Sequence, residues 1–380
     1  MAGFPAESME IGNGGTVSCQ HTQLLARLNI AQRPIGAQHR QRAVHALHVQ
    51  QGFAHAYSVP RHAMLEQDGT DRQTARMQTP SYDFRLGVDL GGTKIEIAAM
   101  SGDNTPQLRH RVPTPAGYDA TVRAIADLVG ETETKLGGRG SVGIGIPGVI
   151  SPATGLVKNA NSIALNGHKF DRDISELLGR EVRVENDANC FALSEAVDGA
   201  GAGANCVFGV IIGTGCGGGV VINGKVLRGR HHITGEWGHT PLPWPQDDER
   251  PGTLCWCGHR NCMETYVSGP GLAMSCDGPD ARDAHGVVAR AIAGDARAKL
   301  ALDRHADRLA RGLAVVVNIL DPDVIVLGGG LSNLDHLYAE LPKLMAGYVF
   351  SDFVHTPIVR NTHGDSSGVR GAAWLWPAPG

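Results

Sequence analysis

The chain has 380 residues, a formal charge of −4, 42% hydrophobic and 19% charged residues, the composition of a soluble globular protein with about two or three domains. That charge gives no electrostatic reason to expect nucleic acid or an anionic membrane as partner. No apolar run approaches the ~20 residues of a membrane helix, and Met1–Glu7 has neither the basic nor the apolar stretch of a secretory signal, so a cytoplasmic protein is expected.

Residues 1–80 stand apart in composition. They hold ten glutamines, and only Gln107 and Gln246 follow. All seven lysines lie at Lys94 or beyond, while six histidines lie before residue 80. The segment shows neither strand alternation nor a helical stripe, so it buries little apolar surface. Residues 1–82 are expected to be a disordered or non-native extension, of which 1–80 are expected to be dispensable.

From Phe84 the pattern is that of an α/β protein. Phe84–Asp89 reads as a strand, Leu90–Lys94 as a tight turn and Ile95–Met100 as the returning strand. Thr121–Leu136 has apolar residues at helical spacing. Val142–Ile146 is a strand stopped by Pro147-Gly148. Val182–Glu185 runs into Asn186-Asp187, and Ala188–Ala196 reads as a helix. Val207–Ile212 is almost continuously apolar, as a doubly covered sheet requires, and returns through Gly213–Gly219 into Val220–Ile222. Ala301–Leu320 is a long helix, and Val324–Leu327 is a buried strand meeting Gly328-Gly329-Gly330. Strand, glycine turn, strand occurs twice, which predicts two lobes of similar topology.

The turn Asp89-Leu90-Gly91-Gly92-Thr93-Lys94 allows close approach of backbone N–H groups to phosphate oxygens, with Thr93 and Lys94 as further donors. Asp89 is placed to hold Mg²⁺ directly or through water. A simple hairpin turn explains this stretch equally well by itself. The second turn, Gly213–Gly219, has five glycines in seven residues, a composition that calls for close approach to something. Two such turns can clamp a triphosphate. Asp187 reads either as a helix N-cap or as a general base that accepts a hydroxyl proton. His239, Cys255, Cys257 and Cys262 have the residue types and spacing of a tetrahedral zinc site, against the alternative of buried free thiols. Glu236 and Glu264 flank that cluster. They are either surface charges or carboxylates whose backbones the metal anchors.

These motifs together resemble the ROK family of sugar kinases, repressors and uncharacterised proteins. The stretches are Asp89–Lys94, Glu185–Asn189, Gly213–Gly219, Gly235–His239, Cys255–Glu264 and Leu327–Gly330, in order from about Leu86 to the C-terminus. Lys158–Ser162, Glu195–Ala200, Glu236–Trp244 and His363–Gly371 are most similar to bacterial fructokinases with mannokinase activity. The resemblance implies an α/β, two-lobed actin/hexokinase-like (ribonuclease H-like) ATPase fold with an interlobe cleft. The expected lobes are 83–198 with 365–380, and 199–364 carrying the zinc loop. It implies Asp187 as the base that takes the proton of a hexose hydroxyl as that oxygen attacks the γ-phosphate of Mg-ATP. Asn161, Asn186, Asp187, Glu236, His239 and Glu264 would bind the sugar, with His239 also a zinc ligand. Asp89, Gly91, Gly92, Thr93, Lys94, Thr214 and Gly215 would hold the phosphates, and Gly329 and Gly330 would lie near the nucleoside. The family commonly forms dimers, so a homodimer is expected. Asn261 departs from the family's usual glycine, but asparagine tolerates a left-handed backbone.

The implied activity is phosphorylation of the 6-hydroxyl of D-fructose, with D-mannose as a second substrate. A glucokinase or an N-acetylhexosamine kinase is the alternative within the family. A sugar-responsive repressor ranks below these, because residues 1–80 lack lysine, carry a net charge of only about +2 and show no paired-helix pattern.

Overall fold

The structure is a computed structural model that describes residues 81–160 and 163–379. The expectation of a dispensable segment at 1–80 and the sugar role of Asn161 lie outside the described residues. Tyr82, assigned to the extension by sequence, packs edge-on against Trp376 with ring centroids 5.7 Å apart and so belongs to the folded part.

Two five-stranded sheets share one topology. The first is built from β1 (Phe84–Leu90), β2 (Lys94–Met100), β3 (Pro106–Pro113), β4 (Gly140–Ile146) and β7 (Val182–Asn186), in the order β3-β2-β1-β4-β7. The short strands β5 (Val149–Ile150) and β6 (Val157–Lys158) form a separate ladder. The second sheet comprises β8 (Cys206–Ile212), β9 (Cys216–Ile222), β10 (Lys225–Val226), β11 (Val324–Gly328) and β12 (Ile358–Arg360), ordered β10-β9-β8-β11-β12. In each, an antiparallel hairpin leads and two parallel strands follow. The predicted repeat of strand, turn and strand is therefore a repeat of whole sheets.

Helices α1 (Tyr118–Leu136) and α2 (Phe170–Leu178) accompany the first sheet, and α3 (Asp187–Asp198) follows it. The zinc-type loop leads into α4 (Glu264–Val267), α5 (Gly269–Asp277) and α6 (Val287–Ile292). Helix α7 (Ala296–Leu320) begins five residues before the position expected from periodicity, because Asp295 caps it by accepting from the Arg297 and Ala298 amides. Helices α8 (Asp335–Met345) and α9 (Ser367–Ala373) complete the order. β3 escaped the sequence reading because it is an edge strand with both faces largely exposed, so Pro106–Pro113 carries no apolar alternation.

Each sheet has its own apolar core on its outer face. One gathers Leu86, Val88, Ile97, Ile125, Val142 and Phe170, the other Phe208, Val210, Leu309, Leu313, Ile325 and Leu341. A third cluster lies between the sheets, where Phe191 and Ala192 of α3 and Val369 and Ala373 of α9 meet Met100, Val207, Val221 and Val326. Glycine makes this contact possible. A Cβ on Gly371 would overlap the Cys190 carbonyl, one on Gly143 the Ala372 carbonyl, and one on Gly87 the Val369 carbonyl. Helix α3 is pressed equally close to the second sheet, since a Cβ on Gly219 would lie 2.7 Å from the Ala188 carbonyl oxygen.

Gly371→Ala is expected to force α3 and α9 apart and to lower stability by about 3 kcal/mol. Thermal or urea unfolding of the variant checks this, and an unchanged midpoint would disprove the packing argument.

Candidate active site

Strand β7 delivers Asn186 and Asp187 to the junction between the sheets. Asn186 is the N-cap of α3. Its Oδ1 accepts from the amides of Ala188 at 2.9 Å and Asn189 at 3.3 Å, and its Nδ2 donates to the Gly148 carbonyl at 3.3 Å. The cap expected as the plain alternative for Asp187 thus falls to its neighbour, and the Asn186 side chain is already committed to the backbone. Asp187 is the first residue of the helix. Its Oδ1 accepts from the Ala188 amide at 2.8 Å, and Oδ2 has no donor among the described residues.

The Asp187 carboxyl is pushed up to about 7. Burial is the main cause, the Asp89 and Glu236 carboxylates add to it, and the Ala188 amide opposes it. Asp89 is pushed up to about 6 by burial and by Glu96, against Lys94 and Arg111. Glu236 is raised by burial and by Glu264, while His239 and Lys158 pull it down. Asp89, Asp187, Glu236 and Glu264 are therefore near enough to repel one another in sequence. A group of carboxylates like this suits a neutral polyhydroxylated ligand or a cation, and disfavours a bare anion.

Beside these acids lie two backbone turns. Between β1 and β2 the Gly91 amide donates to the Lys94 carbonyl at 2.9 Å. Between β8 and β9 the Gly213 amide donates to the Gly215 carbonyl at 3.0 Å, and the Gly269 amide to the Gly213 carbonyl at 2.7 Å. The N–H groups of Gly92, Thr93, Thr214 and Gly215 have no acceptor among the described residues. Vacant N–H donors on a turn whose carbonyls are occupied form an anion-binding concavity. Gly330 approaches the second turn, since a Cβ on Gly213 would lie 3.8 Å from its amide nitrogen. Gly217, Gly218 and Gly219 belong to β9 and not to the turn, which corrects the reading of the whole run as a phosphate loop. Gly218 lies against Trp237 and Gly235, and Gly217 and Gly219 lie against α3. These three glycines admit the Gly235–His239 segment and the helix of Asp187 at close range.

Trp237–His239 is a short 3-10 turn with Glu236 at its N-cap, packed on β9 and fixed by the Trp237 indole donating to the Gly217 carbonyl at 3.0 Å. The side-chain ligand atoms of His239, Cys255, Cys257 and Cys262 all lie within 4.8 Å of one another. Cys255 Sγ is 3.6 Å from His239 Nδ1, and the Cys257 and Cys262 sulfurs are 3.6 Å apart. Tetrahedral zinc with bonds of about 2.0–2.3 Å separates its ligands by about 3.3–3.8 Å, so the donor set fits the metal. Cys257 is pulled down to about 6 against the cost of burial, by the backbone and side chain of His259 and by the neighbouring thiols. His259 also reaches the cluster, with Nδ1 at 3.7 Å from Cys257 Sγ. Asn261 takes φ 69° and holds the left-handed turn before Cys262.

Glu264 joins this loop to the second turn. Its Oε1 accepts from the Trp256 indole at 2.7 Å and its Oε2 from the Cys216 amide at 3.0 Å. Neither partner was foreseen. Lys94 starts β2 with an exposed side chain, and its Nζ makes no hydrogen bond among the described residues. A cavity of about 460 Å³ lies along β7, with Ile146, Val149, Val184, Asn186, Arg228 and His232 in its walls. Among the described residues, Asn186 is the one expected site residue that lines it.

The raised carboxyls have a consequence for stability. Asp187 and Asp89 keep their protons in the native state after the unfolded chain has lost them near pH 4, so stability falls as pH rises from about 4 to about 7. Asp187→Asn is expected to flatten that fall and to raise the melting temperature at pH 8 above that of the parent chain. Melting curves at pH 5 and pH 8 check it.

Comparison with known proteins bears on the family and the fold. The ROK family model matches residues 85–378. An N-acetyl-D-glucosamine kinase of Yersinia enterocolitica is 41% identical over 296 residues, covering 76% of this chain and 98% of that protein. Among solved structures, the ROK hexokinase from Thermus thermophilus superposes with a TM-score of 0.69 at 32% identity, covering 77% of this chain and 97% of the other. A ROK family glucokinase from Streptomyces griseus, solved with glucose and AMPPNP, gives a TM-score of 0.64 at 28% identity over 77% of this chain and 98% of that one. The shared sheets, the order of the motifs and the length of the match have one explanation: the chain belongs to the ROK family and stands among its sugar kinases.

Proposed function

We propose that this protein is an ATP-dependent N-acetylhexosamine kinase that phosphorylates the 6-hydroxyl of N-acetyl-D-glucosamine. The observation that carries the kinase reading is the Asp187 carboxylate at the start of α3, with one oxygen held by the Ala188 amide, the other without a donor among the described residues, and the Asp89 and Glu236 carboxylates near enough to raise its pKa. A carboxyl whose pKa is raised above the ordinary carboxylate range is a better proton acceptor than an unperturbed one. The choice of hexose rests on the 41% identical relative named for N-acetyl-D-glucosamine. It supports the second of the sequence-based substrate readings over fructose.

In this reading Asp187 accepts the proton of the 6-hydroxyl as the oxygen bonds to the γ-phosphorus and ADP departs. Glu236, His239 and Glu264 receive the sugar's other hydroxyls, with Asn186 fixing the helix that carries the base. The N–H groups of Gly92, Thr93, Thr214 and Gly215 hold the phosphates, and Gly329 and Gly330 border the nucleoside. Mg²⁺ bound with ATP beside Asp89 would supply neutralisation of phosphate charge. Zinc held by His239, Cys255, Cys257 and Cys262 would fix the loop that presents Glu236 and His239 to the sugar.

The test is an ATP-coupled assay over N-acetyl-D-glucosamine, N-acetyl-D-mannosamine, glucose, fructose and mannose. The acetylated glucosamine is expected to give the highest kcat/KM, and a preference for fructose would restore the first sequence-based reading. In the same assay Asp187→Asn should lower kcat by about 10²–10⁴ with sugar affinity retained. Near-normal turnover would exclude it as the base. Metal analysis is expected to find one zinc per chain, and chelation should lower the melting temperature. Metal-free protein with full activity would refute the structural zinc.

A further inference from the structure

Thr114 directly follows the edge strand β3 and lies half-buried against the first glycine turn. Its hydroxyl donates to the Gly91 carbonyl at 2.7 Å, and its amide donates to the Thr93 carbonyl at 3.0 Å. In a planar trans peptide the C=O and the next N–H point in opposite directions. The two bonds therefore fix two planes. Holding the Gly91 carbonyl aims the Gly92 N–H away from Thr114, and holding the Thr93 carbonyl does the same for Lys94 N–H.

The Gly91–Gly92 peptide has the greater need of this lock. Glycine on both sides leaves no Cβ to oppose a flip of that plane. A flip would exchange an N–H for a carbonyl oxygen at the surface where phosphate is read to bind, turning attraction into repulsion. The second turn achieves the same order with backbone alone, through the Gly269 amide on the Gly213 carbonyl at 2.7 Å. In the first turn the lock on the glycine–glycine plane is a side chain.

We infer that Thr114 is a positioning residue for nucleotide, whose hydroxyl holds the Gly91–Gly92 peptide with its N–H toward the β- and γ-phosphates. This rests on the reading of the Gly91–Lys94 turn as a phosphate site. It predicts that the hydroxyl matters and the volume does not.

The experiment is calorimetric titration of the full chain with Mg²⁺ and a non-hydrolysable ATP analogue, in parent, Thr114→Val, Thr114→Ser and Thr93→Ala proteins. Thr114→Val should weaken the analogue roughly ten- to thirtyfold, and Thr114→Ser should stay within about threefold of the parent. Hexose affinity should remain within about twofold in all of them, which a general loss of structure would not allow. Thr114→Ala, which also lacks the hydroxyl, takes the place of Thr114→Val if the latter is not recovered folded. Weak binding by Thr93→Ala with parent-like binding by Thr114→Val overturns the lock alone. Parent-like binding by both overturns the lock, and failure of the parent chain itself to bind the analogue overturns the phosphate reading with it, since Thr93→Ala keeps the backbone N–H. Equal loss in Thr114→Val and Thr114→Ser also overturns the lock, because the hydroxyl would then not be the cause.

Discussion

The arrangement depends on close packing of two helices between two sheets. Helix α9 lies on β1 and β4, α3 lies on β8 and β9, and the helices meet each other at Gly371 and Cys190. Every close approach is made at a glycine, where any larger residue would strike backbone. Backbone-to-backbone contact is stiff, because no side-chain rotamer can absorb a shift. Helix α3 is also the helix that begins with Asp187, so the position of the base is set by the tightest packing in the molecule.

A second layer of order ties the C-terminal segment to the same helix. Glu195 of α3 is fully buried, yet it accepts from the Ala200, Thr362 and His363 amides and from the Ser367 hydroxyl. A buried carboxylate persists when several donors replace its lost hydration. One helix turn later, Asp198 binds His363 and Arg370. These acids belong to the stretch whose likeness to sugar kinases was visible in the sequence. Their place in the fold makes them joints between α3 and the chain that leads into α9.

Much of the fold was legible because apolar runs and glycine turns alternate. Val207–Ile212 and Val324–Leu327 read as buried strands and are β8 and β11. The order Asp89, Asp187, Glu236, Cys262 was also legible, since each stands in a stretch of unusual composition. What sequence could not give were contacts made by ordinary residues at long range. Thr114 looks like any threonine after a proline, and Trp256 like any exposed aromatic, until the fold brings one to Gly91 and the other to Glu264. The glycines of β9 were legible as a signal but not as a cause. The run Gly217–Gly219 serves helix and loop packing, and only three dimensions separate that demand from a phosphate turn.

Glu264 stands with one oxygen on the indole of the cysteine loop and the other on the amide that closes the second glycine turn. Occupants of the two places share a single carboxylate as their common strut. Any coupling carried by such a strut is reciprocal: a ligand at one place would change affinity at the other by the same factor as it is itself changed.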